Sequence, residues 1–252
     1  LDRQWRRQGD ELAGRETPAA PRFNLLVPRS ACPACKAPIR AVHNVPVLSW
    51  LVLRGKCAGC AAPISARYPF VELLTAILSA TVAWKFGYTA QMGAALVLTW
   101  FLVALTFIDF DTQLLPDALT LPLLWLGLAA SVLGYTAVEP RAAIIGALAG
   151  YLSLWSVYHL FRLATGKEGM GYGDFKLLAA LGAWLGWQML LPIILLSAAV
   201  GAVTGIALIL LRGRDRNIPI PFGPFLAAAG WIALMWGQQI VTGYLGMFAA
   251  GR

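Results

Sequence analysis

The chain has 252 residues, of which 59% are hydrophobic and 13% are charged, and its mean hydropathy is +0.68. A soluble domain carries about 25% charged residues, so this composition excludes an ordinary soluble protein. The net charge of +8 does not indicate nucleic-acid binding, because the basic residues fall in a few separate segments between apolar runs.

The first part of the chain differs from the rest in composition. Residues 1–68 are polar, basic and rich in proline, whereas residues 69–252 consist mainly of apolar runs. We therefore predict a soluble head over 1–68 and a transmembrane helical domain over 69–252. The chain opens with Leu1 rather than Met and has no apolar segment typical of a signal peptide, so we expect further sequence before it in the natural protein.

All four cysteines lie in the head, as two C-x-x-C pairs formed by Cys32 with Cys35 and by Cys57 with Cys60. Two such pairs separated by 21 residues are typical of a four-thiolate zinc site, which is closed and structural. Disulfides are disfavoured in a reducing cytoplasm. A redox dithiol and an iron site with the same ligands remain alternatives.

Seven apolar runs are each close to the roughly 20 residues that a spanning helix needs, which predicts an all-α polytopic membrane protein. The runs cover residues 69–86, 92–108, 118–135, 142–163, 175–192, 193–211 and 222–249. The fifth and sixth runs meet near Pro192, and they could form one tight hairpin or one short and one long span. With the basic head in the cytoplasm and alternating loops, seventeen of the twenty Lys and Arg residues lie on the inside.

Acidic residues near the membrane are costly and are therefore candidates for function. On this topology Asp109 ends the second span and Asp174 opens the fifth, so both lie at the cytoplasmic face. Two carboxylates in contact can share one proton, so that one activates a water while the other protonates the leaving group. We expect Asp174, at a helix N-terminus, to be the base and Asp109, at a helix C-terminus, to be the acid.

Other residues near these acids have structural readings beside the functional one. Gly171 and Gly173 remove side chains where a peptide or the loop itself approaches closely, although Asp174 could instead cap its helix. Asp117 follows a proline and could cap the third span. Glu72 lies near the start of the first span and could pair with Lys176 or with a basic residue of the head.

These motifs together resemble one family of membrane proteases. The segments are the cysteine head, Gly55-Lys56-Cys57, Arg67-Tyr68-Pro69, Glu72-Leu73, Ile108-Asp109, Leu115-Pro116-Asp117, Gly171-Tyr-Gly-Asp174-Phe-Lys176 and Ile220-Pro-Phe-Gly-Pro224. The whole chain is similar to bacterial prepilin peptidases, the type IV leader peptidase family of G-x-G-D aspartic proteases.

The resemblance implies an activity, partners and a location. It implies cleavage of the basic leader from type IV prepilins and type II secretion pseudopilins, at the cytoplasmic side of the bacterial inner membrane. The catalytic aspartates map to Asp109 and Asp174. The resemblance also implies N-methylation of the new N-terminus with S-adenosylmethionine, for which Gly55 and Lys56 mark the candidate region. A homo-oligomer is considered as well, and the family's first span and the segment after it are expected to precede this chain.

Two other functions compete with the peptidase. A proton-coupled transporter also uses acidic residues within the membrane, but at the midplane rather than at one face. A membrane scaffold of a secretion system could use the zinc head to dock partners. The position of both aspartates at one face favours the peptidase.

Overall fold

A computed structural model describes residues 13–14, 30–167, 169–212 and 220–249 of the chain. Its eight α-helices are α1 (Leu48–Val52), α2 (Arg67–Phe86), α3 (Ala90–Thr112), α4 (Asp117–Val132), α5 (Pro140–Thr165), α6 (Tyr172–Leu185), α7 (Leu190–Arg212) and α8 (Gly223–Ala249). Two 3-10 helices, Ala41–Asn44 and Trp187–Met189, complete the set. Within these ranges no β-strand forms, which confirms the predicted all-α fold.

Five of the helices are long and apolar enough to cross a membrane, so the protein is a multi-pass membrane protein. They are α2, α3, α5, α7 with the turn before it, and α8. Helix α4 is apolar but has only 16 residues, and α6 has 14. At a rise of about 1.5 Å per residue, neither covers the roughly 30 Å of a bilayer core. Seven helices, α2 to α8, therefore stand where seven spans are predicted, but two are short.

The short helix α6 is surrounded by other helices rather than by lipid. Ten of its fourteen residues are buried, and it packs against α4, α5 and α8. A segment enclosed by protein can end inside the membrane, because neighbouring groups rather than lipid meet its backbone. This enclosure explains how a helix too short to span is accommodated.

The predicted junction between the fifth and sixth spans is wrong. Helix α6 ends at Leu185 rather than at residue 192, because Gly186 follows with φ 82° and ψ 164°, a conformation open mainly to glycine. Pro192 does not separate the two helices. It lies in the first turn of α7, where a missing N–H costs no helical hydrogen bond.

Helices α5 and α6 meet through glycines. A Cβ atom at Gly146 would overlap the carbonyl oxygen of Gly182, and one at Gly150 would come within 2.6 Å of the Leu178 oxygen. The two backbones are thus in direct contact, as expected for small residues at a membrane helix crossing. At Gly205, by contrast, an added Cβ would meet only ordinary contacts.

The structure forms two compact units that divide between Ile77 and Leu78, within α2. The predicted boundary at residue 68 stays a prediction. In the larger unit, the core is built around α6, with Phe175, Leu178 and Leu181 fully buried. Most of residues 1–29 and the basic positions Arg214 and Arg216 lie outside the described residues.

Candidate active site and metal centre

Asp109 lies in the last turn of α3 and is buried. The residue is only 4% exposed. Its carboxyl Oδ2 atom has no hydrogen-bond partner among the described residues. Helix α3 ends just beyond it, where Gln113 adopts a left-handed conformation and donates its N–H to the Asp109 carbonyl oxygen at 2.8 Å. A buried carboxylate oxygen without a partner is costly, and it marks a functional position.

Asp174 is the third residue of α6 and is 7% exposed. The N-cap of α6 is Gly171, so Asp174 is not the N-cap residue, in contrast to the alternative considered from the sequence. The backbone N–H of Asp174 donates to the Gly171 carbonyl oxygen at 3.2 Å, and the Asp174 carboxyl group also interacts with the backbone of Gly171. A Cβ at Gly171 would lie 3.8 Å from Asp174 Oδ2, an ordinary contact.

Leu115, in the turn between α3 and α4, lies close to residues that neighbour each of the two aspartates. A Cβ at Gly173, beside Asp174, would lie 2.6 Å from Leu115 Cβ and 3.1 Å from its carbonyl oxygen. A Cβ at Gly223 would lie 3.0 Å from Leu115 Cδ1 and 2.5 Å from Asp109 Oδ2. The three turns before α4, α6 and α8 therefore meet at one end of the bundle, and they bring both carboxylates there.

The two carboxylates interact electrostatically, and each lies beside the N-terminus of a helix. Asp174 is in the first turn of α6, whereas Asp109 faces Gly223, the first residue of α8. The assignment of Asp174 as base and Asp109 as acid stays a prediction, and the start of α8 at Gly223 places a helix N-terminus beside Asp109 as well. The helix positions consequently do not distinguish the acid from the base.

Lys176 and Asp117 form an ion pair beside this site, with Lys176 Nζ 2.5 Å from Asp117 Oδ1. Their side chains are 25% and 57% exposed, so solvent screens the pair. Asp117 is the first residue of α4 and follows its N-cap, Pro116, so it is not the cap itself. An anion at this position still suits the helix dipole.

Glu72 has a partner in the head rather than in the membrane domain. Its Oε2 atom accepts the backbone N–H of Val47 at 2.8 Å. Lys176, considered from the sequence as one possible partner of Glu72, is bound to Asp117. Glu72 thus connects the start of α1 to the second turn of α2.

The four cysteines come together as the sequence predicts. Their Sγ atoms all lie within 4.8 Å of one another, and those of Cys32 and Cys60 are 3.9 Å apart. Zinc–sulfur bonds of about 2.3 Å place tetrahedral thiolates about 3.8 Å apart, so the cluster fits one such ion. A four-cysteine group that could hold a metal ion is therefore present in the head.

The two halves of this cluster repeat the same backbone pattern. The N–H of Cys32 donates to the Ala37 carbonyl at 3.0 Å, and the N–H of Cys57 donates to the Ala62 carbonyl at 2.9 Å. Each turn is closed by a residue with positive φ, Lys36 in the first and Ala61 in the second. Both C-x-x-C pairs are therefore held as preformed turns that point sulfur atoms at a common centre.

Local hydrogen bonds favour thiolates at the first cysteine of each turn. The backbone N–H groups of Cys35 and Ala34 lower the pKa of Cys32 to about 6, and those of Cys60 and Gly59 lower the pKa of Cys57. The Ala62 N–H lowers the pKa of Cys60 as well, but the neighbouring sulfur atoms and burial outweigh it and raise that pKa to about 11. A divalent cation would remove this repulsion between thiolates.

Gly55 and Lys56 lie in the turn that leads into the second cysteine pair. Gly55 has φ 69°, and a Cβ there would lie 3.0 Å from the Trp50 ring. Lys56 forms an isolated β-bridge with Pro63 and is exposed. These contacts maintain the fold of the head, and a methyl-transfer role for the two residues stays a prediction.

Sequence reasoning missed Leu115 and Gly223 as parts of the site. Neither residue carries chemistry, so neither could be recognised as a candidate before the three turns were seen to meet. The sequence signals were the Leu115-Pro116-Asp117 and Ile220-Pro-Phe-Gly-Pro224 segments, which contributed to the family resemblance without a role for either residue.

Comparison with known proteins matches this arrangement to one family. A profile described as the type IV leader peptidase family matches residues 96–206, and one described as the bacterial peptidase A24 N-terminal domain matches residues 14–86. No solved structure matches the chain significantly.

Curated relatives cover nearly the whole chain. A prepilin leader peptidase/N-methyltransferase of Aeromonas salmonicida is 60% identical over 97% of this chain and 85% of its own length. Proteins of the same name from Pseudomonas aeruginosa and Xanthomonas campestris are 56% and 50% identical, each over 97% of this chain and over 84% and 85% of their own lengths. The chain therefore belongs to the type IV leader peptidase family.

Proposed function

We propose that the protein is a membrane-embedded aspartic endopeptidase that removes the leader from prepilins and pseudopilins, with Asp109 and Asp174 as its catalytic pair. The observation that carries the proposal is the burial of two interacting carboxylates, from separate helices, at one end of a membrane bundle. A transporter would be expected to carry its acids at the midplane, so this position favours the peptidase.

The chemistry follows from two carboxylates that share one proton. Two interacting carboxylates that are both poorly solvated do not readily ionise together, so we expect one group to be a carboxylate and the other a carboxylic acid. The carboxylate takes a proton from water as the water oxygen attacks the scissile carbonyl, and the acid donates a hydrogen bond to the carbonyl oxygen. A proton is then delivered to the leaving amine as the C–N bond breaks. The pair titrates as a unit, so the two roles belong to the pair rather than to fixed residues.

The location of the site suits a substrate that is partly embedded in the membrane. The proposed orientation places the bundle end with Asp109 and Asp174 at the cytoplasmic face of the bacterial inner membrane. This is supported by the basic residues of the head and of the loop that joins α5 to α6. A basic leader would then lie at the membrane surface while the apolar helix of the pilin lies in the bilayer, and the scissile bond falls at the boundary.

The four-thiolate cluster is proposed to bind one structural zinc ion. Cys32, Cys35, Cys57 and Cys60 would hold it, and no coordination position would remain for water or substrate. The small head has few buried apolar residues, so the ion would supply much of its folding free energy.

The N-methyltransferase part of the relatives' names is proposed to hold for this chain too, with S-adenosylmethionine supplying the methyl group. Gly55 and Lys56 stay the candidate region for this activity, as the family resemblance implies. Association into a homo-oligomer stays a prediction.

Single substitutions Asp109→Asn and Asp174→Asn test the catalytic pair. Each is expected to lower prepilin cleavage by at least about 10²-fold in purified, lipid-reconstituted enzyme, because general acid–base catalysis supplies about 10²–10⁴-fold. The double variant should be no slower than the slower single one, since residues that act as a unit are not additive. Asp111→Asn, in the same helix turn as Asp109 but exposed, is the matched control.

Methylation of a pre-cleaved pilin peptide checks that the variants remain folded. Cleavage by either single variant within tenfold of the parent enzyme would refute the catalytic pair. Loss of cleavage in Asp111→Asn to the same extent would indicate a general sensitivity of this turn instead.

A further inference from the structure

Helix α1 is positioned at the start of a membrane-spanning helix. The backbone N–H of Val47, the residue before α1, donates to Glu72 Oε2 at 2.8 Å. Glu72 is the sixth residue of α2, so it lies within about 9 Å of the helix start along the axis. Because α2 is long and apolar enough to cross a membrane, α1 is held at the level where that helix enters the bilayer.

One face of α1 packs against the rest of the head, and the opposite face is exposed. Trp50 faces the rest of the head, because its Nε1 donates to the Ile64 carbonyl at 3.1 Å and its ring lies against Gly55. On the opposite side, Leu48, Leu51 and Val52 have the i, i+3 and i+4 spacing of one helix face. They are 62%, 58% and 80% exposed, so Trp50 anchors a helix whose aliphatic side chains point away from the head.

Two further residues extend this apolar surface, which we call the α1 patch. Val42 is 77% exposed and Val45 is 43% exposed, and both precede α1 in the chain. The α1 patch therefore consists of five aliphatic side chains: Val42, Val45, Leu48, Leu51 and Val52. A group of exposed aliphatic side chains so close in sequence is typical of an interaction site.

Apart from Glu72, whose carboxylate accepts the Val47 N–H, the charged residues around the α1 patch are basic. Residues 30–66 contain no Asp or Glu, and their four charged residues, all basic, are Lys36, Arg40, Arg54 and Lys56. All four are exposed to solvent or nearly so. An aliphatic face bordered by Lys and Arg is the composition of segments that lie in the interface of an anionic bilayer. A basic prepilin leader, in contrast, would be repelled by these residues.

We propose that the α1 patch inserts into the interface of an anionic phospholipid bilayer, beside the entry point of α2. Leu48, Leu51 and Val52 reach the acyl-chain boundary, and Arg54 and Lys56 contact lipid phosphates. The bilayer then fixes the head at the membrane surface.

The experiment measures the environment of the α1 patch in the whole protein reconstituted in nanodiscs. A ketone-bearing amino acid at position 51 or 52 is coupled to a hydroxylamine nitroxide, which leaves the four cysteines untouched. Electron paramagnetic resonance then compares collisions with oxygen, which concentrates in lipid, and with a water-soluble nickel complex. Ala58, exposed in the second cysteine turn, is the matched control position.

Oxygen collisions are expected to dominate at Leu51 and Val52 in discs containing phosphatidylglycerol, and nickel collisions at Ala58. Discs of phosphatidylcholine alone, or the double variant Arg54→Gln with Lys56→Gln, should shift the labels toward water. The expected change in the inserted-to-exposed ratio is about 30-fold for two charges, since one basic residue near an anionic surface contributes a factor of about five.

Three results would overturn the proposal. Nickel collisions that dominate at Leu51 and Val52 would place the α1 patch in water. Exclusion of both reagents would mean that protein covers it. Exposure that is lost only when a prepilin is added would identify the substrate, rather than lipid, as its occupant.

Discussion

Gly223 is the residue whose substitution tests the geometry of the site most directly. A Cβ atom in Gly223→Ala would lie 2.5 Å from Asp109 Oδ2 and 3.0 Å from Leu115 Cδ1, whereas ordinary contacts begin at 3.4 Å. The carboxyl oxygen or the start of α8 must therefore move by about 0.9 Å. A displacement near 1 Å at a reacting group costs about 10²-fold in rate, which corresponds to about 2.7 kcal/mol of activation free energy.

Steady-state cleavage of a prepilin by Gly223→Ala should therefore show kcat lowered by about 10²-fold with KM little changed, because the substitution displaces a reacting group rather than a binding surface. Gly93→Ala is the matched control: it lies in α3, the helix of Asp109, and an added Cβ there has no neighbour within 4 Å. Cleavage by Gly223→Ala within threefold of Gly93→Ala would show that the contact between α8 and Asp109 does not set the geometry of the pair.

Three further predictions concern stability and metal binding. Gly182→Ala should lower the free energy of unfolding by about 1–3 kcal/mol in thermal denaturation, because its Cβ would overlap the Gly146 carbonyl; an unchanged transition would contradict the backbone contact. A double-mutant cycle with Lys176→Gln and Asp117→Asn should give a coupling of about 0–1 kcal/mol that falls with added salt, and a larger, salt-independent value would mean that the pair is effectively buried. Cys35→Ser should abolish the single equivalent of zinc found by elemental analysis and unfold the head, whereas retained zinc would exclude the four-thiolate site.

The helices of the membrane domain were predictable because apolar length alone identifies them. Helices α2 to α8 stand at the seven predicted positions, although only five are long and apolar enough to cross a membrane, and the ends differ mainly between α6 and α7. Pro192 suggested a helix boundary at that residue, but the backbone places the boundary at Gly186. Hydropathy does not report the difference, because apolar residues lie on both sides of the break.

The two carboxyl groups proposed to react were predictable from the sequence, but the residues that surround them were not. Asp109 and Asp174 are ionisable groups beside apolar runs, so their cost identifies them in the sequence. Leu115 and Gly223 act by size and position, and such roles depend on three turns that meet only in the folded chain. For the same reason, the helix N-terminus beside Asp109 could not be predicted, because it belongs to α8, which is distant in sequence and faces Asp109 only after folding.

The glycine crossing of α5 and α6 limits how the enzyme can open. Where backbone touches backbone at Gly146 and Gly182, neither helix can rotate or slide past the other without separating the pair. Asp174 therefore lies on a helix that is held tightly against α5. Asp109, in contrast, contacts the start of α8, which also packs against α6. We therefore expect any change in the separation of Asp109 and Asp174 to come from α3 or α8 rather than from a shift of α6 along α5, because only α5 and α6 are held by backbone contact.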